Sequence, residues 1–276
     1  MGAVTPIDGE VLEGVSATTL WTLRNRATEA KRADGVIRDP WAITLLDAIT
    51  YDYGKFGRPS QFHALRALAF DAVTRTFLDD HPNASVVALA EGLQSSFWRL
   101  DRDRHIGAST WYSVDLPPVI ELRRRLLPHD DRIVTLPRSA LDRGWMDRVD
   151  TSHGVLITAE GLLMYLRPDD ALRLIRDCAQ RFPGATMMFD SNPHWVSARA
   201  RRGLRLSDRY VTPPLPFALS PREATALAGR LPGIASARDV RLPRGRGLFR
   251  YAGCRAFDRE PLQRMRPSTT VLEFGS

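Results

Sequence analysis

Apolar and polar positions alternate along this chain with two different periods. Between residues 8 and 33, Leu12, Val15, Leu20, Leu23 and Ala27 recur at helical intervals, predicting one or two N-terminal helices. Phe62, Leu65, Leu68, Ala69, Val73 and Phe77 repeat that spacing over residues 61–79 and predict another. From Val86 the pattern changes to short apolar runs separated by helical segments. Strands are predicted at 86–90, 111–115, 132–136, 154–159 and 185–190. Alternating strands and helices imply parallel pairing. The intervening helices include 117–127 and 168–182; the latter is opened by Pro168, Asp169 and Asp170 and closed by Pro183 and Gly184. An Arg-rich helix follows Pro193, then a proline-rich link from Pro213 to Pro221 and a helix through Leu231. Two last strands are predicted near 235–242 and 248–257, leaving 260–276 as a loose tail.

The chemistry concentrates where the first of these strands ends. The run from Ala84 to Ala90 stops at Glu91 and Gly92, and Ser95 or Ser96 can cap the helix that follows. A turn of small residues at the carboxyl end of a strand lets backbone N–H groups approach a nucleotide-like ligand. The second strand ends on Asp115, 23 positions beyond Gly92. A carboxylate about 20 positions past such a turn can accept hydrogen bonds from both ribose hydroxyls. Asp115 could equally cap the helix that Pro117 and Pro118 open. Ser95 stands where a dinucleotide site has its third glycine or an alanine, which disfavours a pyrophosphate-bearing cofactor. An adenosine without phosphates, as in S-adenosylmethionine, fits better.

With 276 residues the chain suits a single α/β domain: a helical cap region over 1–80, an α/β core over 84–258, and the tail. Cys178 and Cys254 are too few for a metal cluster and read as reduced core residues of a cytoplasmic protein, with no metal expected. No 18-residue apolar run and no signal-peptide pattern occur, so no membrane association is expected. Basic side chains outnumber acidic ones by 39 to 32, giving a net charge of +7, and all but Lys31 and Lys55 are arginine. They cluster at Arg199, Arg201, Arg202, Arg205 and Arg209, and again from Arg238 to Arg255. Such clusters suit a solvated face, or else an anionic substrate or acidic carrier protein.

Several segments, in order, resemble the leucine carboxyl methyltransferase superfamily, and within it the bacterial O-methyltransferases of polyketide biosynthesis. They are Arg38, Asp39, Pro40, Trp41 and Ala42; Arg66 to Asp71; Val86 to Arg99; Val114 to Pro117; and Ala159 to Leu166, with a weaker echo in Pro213 to Phe217. The resemblance implies a Rossmann-like, seven-stranded class I methyltransferase sheet, mostly parallel with an antiparallel last strand, and a helical cap that excludes water. It also implies S-adenosylmethionine as cofactor. By position, Arg66 matches the arginine that binds its carboxylate, and Lys31 lies near a lysine at the same end. Ala90, Glu91 and Gly92 match the cofactor turn, Ala90 replacing a glycine. Asp115, with Leu116 beside it, matches the ribose acid. Ser139 and Ala140 fall where the family has an Asp-Leu pair at adenine, so Asp142 could take over the lost acid. Glu160 matches a glutamate near the methionine amine.

Transfer to a carboxylate needs alignment and a dry site, because that oxygen is already ionised at neutral pH. A phenol or alcohol needs a base. His194, four residues past Asp190, is the expected base, with His63 on the cap helix a second candidate. His63, Tyr165 and Trp195 are expected to line the acceptor pocket. The chain is thus expected to be an O-methyltransferase of a small molecule in secondary metabolism. The rival readings are a hydroxyl methyltransferase using His194 and a partner module that binds S-adenosylmethionine weakly or does no chemistry. A nucleic-acid methyltransferase is disfavoured, since the fourth strand ends in Ala159, Glu160, Gly161 and Leu162 rather than Asn/Asp-Pro-Pro-aromatic. The sequence names neither the acceptor nor the oligomeric state.

Overall fold

The fold is described from a computed structural model covering residues 7–251, 259 and 261–275. The N-terminal region contains β1 (Ile7–Asp8), α1 (Thr18–Ala30), α2 (Pro40–Ala48), β2 (Ile49–Thr50) and α3 (Phe62–Asp80). The core then runs through β3 (Ser85–Leu89), α4 (Ser96–Arg102), β4 (Thr110–Asp115), α5 (Pro117–Leu126), β5 (Ile133–Pro137), β6 (Val155–Ala159), α6 (Pro168–Arg181) and β7 (Thr186–Ser191). After it come α7 (His194–Ala200), the hairpin of β8 (Arg205–Ser207) and β9 (Tyr210–Val211), α8 (Pro221–Thr225), β10 (Ile234–Asp239) and β11 (Ser268–Phe274).

Seven strands form one sheet in the order β10-β11-β7-β6-β3-β4-β5. Strands β3 to β7 pair in parallel, and β11 runs antiparallel to both of its neighbours, β7 and β10. Every residue of β3, β6 and β7 is buried, as expected of strands covered on both faces. α6 covers one face through Ala171, Leu174, Ile175 and Cys178. On the other, Phe77 and Leu78 of α3 and Phe97 and Leu100 of α4 pack on Val86, Ala88 and Trp111. No helix among the described residues is long and apolar enough to cross a membrane.

The five parallel strands and helices α3, α5 and α6 lie within a residue or two of their predicted places, whereas the helix predicted within 8–33 begins only at Thr18, leaving Leu12 and Val15 outside it. The end of the chain departs further. Residues 247–251, the described start of the strand predicted at 248–257, form a 3-10 turn with Leu248 87% exposed. The rest of that segment, Cys254 included, lies outside the described residues. The expected tail at 260–276 instead carries β11, whose Val271 and Leu272 are fully buried in the sheet. Its Ser268, Thr269 and Thr270 read as loop residues. Buried in a strand, Thr has the β-branching a pleated surface favours, and the hydroxyls of Ser268 and Thr270 satisfy one another at 2.8 Å.

Candidate active site

A cavity of about 500 Å³ opens at the carboxyl ends of β3, β4 and β6. The strand order reverses there, β4 lying on one side of β3 and β6 on the other, which is where open parallel sheets hold their ligands. The turn Ala90-Glu91-Gly92 lines it from the sheet, and Thr18, Thr19, Trp21 and Thr22 of α1 from the cap. Gly92 has φ of 60°, and a Cβ there would stand 2.4 Å from Thr19 Oγ1. That same hydroxyl accepts from Leu93 N–H at 2.8 Å, so glycine is what lets α1 close onto the turn. Ala90 has φ of 48°, a left-handed conformation costing an alanine roughly 1–2 kcal/mol. Its N–H donates to Val114 O at 2.7 Å and holds it there.

Asp115 closes β4 at the cavity wall. Its Oδ2 accepts from Gly92 N–H at 2.6 Å and its Oδ1 from Leu116 N–H at 2.7 Å. Burial raises its pKa, and these two bonds oppose the shift. The N-cap of α5 is Leu116, so capping does not account for the acid. Glu91 lies along the cavity, yet its carboxylate turns inward, accepting from Trp111 Nε1 at 3.1 Å and pairing with Arg123 at 2.8 Å.

Around Glu160, at the end of β6, the charged groups converge. Arg66 Nε donates to Glu160 at 3.0 Å and its Nη1 to Asp190 at 3.0 Å. Burial works against the charge of Arg66, and the two carboxylates outweigh it, raising its pKa. Burial raises the Glu160 pKa against the pull of Arg66. Gln94 Nε2 donates to the same Glu160 oxygen at 2.7 Å and its Oε1 accepts from Arg26, whose other arm reaches Leu93 O at 2.7 Å. Behind this set, Arg99 grips Asp71 with two bonds of 2.6 and 2.9 Å and Asp39 with one of 2.8 Å. Four of the segments that carried the resemblance, through Asp39, through Arg66 and Asp71, through Gln94 and Arg99, and through Glu160, therefore meet in space in buried polar contacts. Ser95 stands at the N-cap of α4 but gives its hydroxyl to Asp39 at 2.6 Å instead of capping.

The cavity wall also includes Leu116, Ser139, Ala140, His63 and Tyr165, all expected at the site. Burial raises the Tyr165 pKa. Four expectations are corrected. Lys31 sits at the C-cap of α1, exposed and paired with Asp47 at 2.7 Å; the buried cation of that helix is Arg26. His194 is exposed and paired with Glu223 at 2.6 Å, and Trp195 is 54% exposed, its Nε1 donating to Met265 O. Both are outside the cavity. Pro193 starts α7 directly after β7, and the helical period turns Val196, not residues 194 and 195, to the cavity. Asp142 caps the following turn by accepting from Gly144 N–H at 2.9 Å and is not on the cavity wall.

Sequence reasoning missed Thr18, Thr19 and Thr22, although their 3–4 spacing marks a polar stripe on the helix whose apolar side it read. It also missed Trp21, Phe62, Asn192, Leu204 and Thr212, which reach the cavity from segments with no shared motif, and gave no role to Leu215 of the Pro213–Phe217 echo.

The donor and acceptor set fits S-adenosylmethionine. Asp115 keeps lone pairs for a vicinal diol, and Leu116, Ala140, Leu141 and Leu162 give an apolar bed for a purine. Arg66 and Glu160 offer opposite charges to an amino-acid zwitterion. Sheet and site together define a class I S-adenosylmethionine-dependent methyltransferase. The structure resembles that of a Thermobifida fusca protein classed among methyltransferases, with a TM-score of 0.57 and 15% identity over 93% of this chain and 94% of the other. Residues 19–179 match the leucine carboxyl methyltransferase family, and the chain belongs to it. It is 32% identical over 226 residues to the tetracenomycin polyketide synthesis O-methyltransferase TcmP of Streptomyces glaucescens, covering 81% of each protein. Over 188 residues it is 28% identical to the S-adenosyl-L-methionine-dependent methyltransferase dpfgK of Gibberella zeae, covering 62% of each.

Proposed function

We propose that this enzyme methylates a carboxylate or hydroxyl oxygen of a small, largely apolar molecule of secondary metabolism, polyketide-like in character. The observation that carries the reading is the division of one cavity between two chemistries. Ionisable groups gather around Asp115, Arg66 and Glu160; Trp21, Phe62, Met164, Val196, Leu204 and Leu215 supply apolar surface. Similarity to a polyketide O-methyltransferase supports the substrate class.

S-adenosylmethionine, when bound, supplies the electrophilic methyl group. Asp115 would hold its ribose beside Gly92 and Leu116, with Ser139 and Ala140 near the adenine. Arg66 and Glu160 would hold the amino-acid end. The chain's remaining task is to align the acceptor oxygen and exclude water, and alignment of this kind is worth up to ~7–11 kcal/mol in favourable cases. α1 serves by closing over the turn through Thr19. With His194 outside the cavity, a carboxylate or already ionised hydroxyl suits the site better than an alcohol that needs a base.

The exposed arginines of α7, the turn that follows it and the β8–β9 hairpin, Arg199, Arg202 and Arg205 among them, suit an anionic acceptor or an acidic carrier protein beside the wall formed by Val196 and Leu204. A cytoplasmic location agrees with the free thiol of buried Cys178. Co-crystallisation with S-adenosylhomocysteine tests the reading. The nucleoside is expected across Gly92 and Asp115 with its amino-acid end at Arg66 and Glu160, and binding elsewhere would refute it.

A further inference from the structure

We propose that His63 is a fixed hydrogen-bond donor that orients an oxygen of the methyl acceptor, presenting Nε2–H to the cavity, and that it is no base; this rests on the cavity being the methyl-transfer site. The backbone N–H of Ser60 donates to Asn25 Oδ1 at 3.1 Å. A backbone N–H can only donate, so the amide of Asn25 is fixed with Nδ2 on its other side. That Nδ2 stands 2.7 Å from His63 Nδ1. An amide nitrogen can only donate as well, so Nδ1 must offer its lone pair, and the proton of the neutral imidazole lies on Nε2. Protonating the ring would set donor against donor.

Trp21 and Phe62 hold the ring edge-on, at centroid distances of 4.7 and 5.5 Å. Nε2 bonds to no described residue, yet it is not among the sealed, unpartnered polar atoms, and His63 lines the cavity. The cavity is therefore where this N–H finds its acceptor. Burial, with Arg66 on α3 and Arg26 on α1 nearby, holds the His63 pKa well below its ordinary value of 6.5. The only basic nitrogen is spent on Asn25. The ring of His63 meets Trp21, Asn25 and Phe62, whereas the guanidinium of Arg66, one turn on, pairs with Glu160 and Asp190. The N–H thus serves the acceptor rather than the amino-acid end of the cofactor.

Nitrogen-15 NMR of histidine-labelled protein, with His63→Leu for assignment, reads the tautomer directly. The expected result is a bare Nδ1 and a protonated Nε2 that do not titrate between about pH 6 and 8. With the cofactor site filled by S-adenosylhomocysteine, millimolar 2-naphthoate, an apolar planar oxygen acceptor, is expected to move the Nε2–H signal downfield. His63→Leu should weaken 2-naphthoate binding by about 10-fold to 100-fold, with S-adenosylhomocysteine affinity unchanged. Asn25→Asp keeps the acceptor for Ser60 but replaces the donor facing Nδ1, so it should move the proton to Nδ1; it also decides the matter if His63→Leu fails to fold. A protonated Nδ1 in the wild type, a signal that 2-naphthoate leaves in place, or a loss of S-adenosylhomocysteine affinity in His63→Leu would each overturn the proposal. Failure of the wild type to bind S-adenosylhomocysteine refutes the methyl-transfer reading instead, and the tautomer of the free protein still decides donor against base.

Discussion

Ala90 and Asp115 make opposite demands on one turn. Asp115 draws the Gly92 N–H to its carboxylate, and the path that permits this leaves Ala90 at a φ of 48°. Ala90→Gly should therefore stabilise the protein by about 0.5–1 kcal/mol, the relief of left-handed strain less the added freedom of the unfolded chain. Urea unfolding checks it, and an unchanged or lower midpoint would show that no strain resides there. Arg66→Ala is expected to do two kinds of harm. It removes a cation from the cofactor site and leaves Glu160 and Asp190 buried without their partner, costing about 3–5 kcal/mol of stability. Thermal unfolding beside S-adenosylhomocysteine binding separates the two. Arg66, Asp115 and Glu160 were legible in sequence because strand ends and an amphipathic helix set their places. His194, Trp195 and Lys31 were not, because their exposure depends on the phase of helices whose starting angle no local pattern records.

At the scale of elements, Asp39 ties α2 to α4. It caps α2 by accepting from Ala42 N–H at 3.0 Å and meets Ser95 and Arg99 of the α4 N-terminal turn. Burial pushes its pKa up, but Arg99, Arg26 and the two hydrogen bonds outweigh burial and leave it below the ordinary 3.8. A lowered folded pKa stabilises fully above the unfolded value and is lost as pH falls through the folded one. Asp39 should therefore contribute to acid unfolding only below about pH 4. Asp115, Glu91 and Glu160 have raised values and act in the opposite sense, stability falling as pH rises from their unfolded values toward the folded ones. Asp39→Asn should cost about 3–5 kcal/mol at neutral pH and flatten the stability profile below pH 4, as measured by urea midpoints across the acid range. A slope that survives the substitution would assign it to other carboxylates.

Across the whole molecule, the parallel half of the sheet was readable because each strand is a dense apolar run in front of a helix. The reversed strand was not. β11 reaches its place from beyond residues 240–267, and its partners β7 and β10 are distant in sequence, so nothing local announces it. A chain ending at Arg266 should lack cooperative unfolding, since it strips the edge of β7 and removes the fully buried Val271 and Leu272. Circular dichroism on heating checks this, and a sharp native-like transition would mean the sheet closes without β11.

The cap, the turn and the acid converge on one claim, that a ribose is held at Asp115. Isothermal titration of S-adenosylhomocysteine into the wild type and Asp115→Asn tests it most directly. The wild type should bind, and the variant about 10-fold to 100-fold more weakly, as expected for hydrogen bonds to a charged group. Equal affinity in the two proteins would contradict the account.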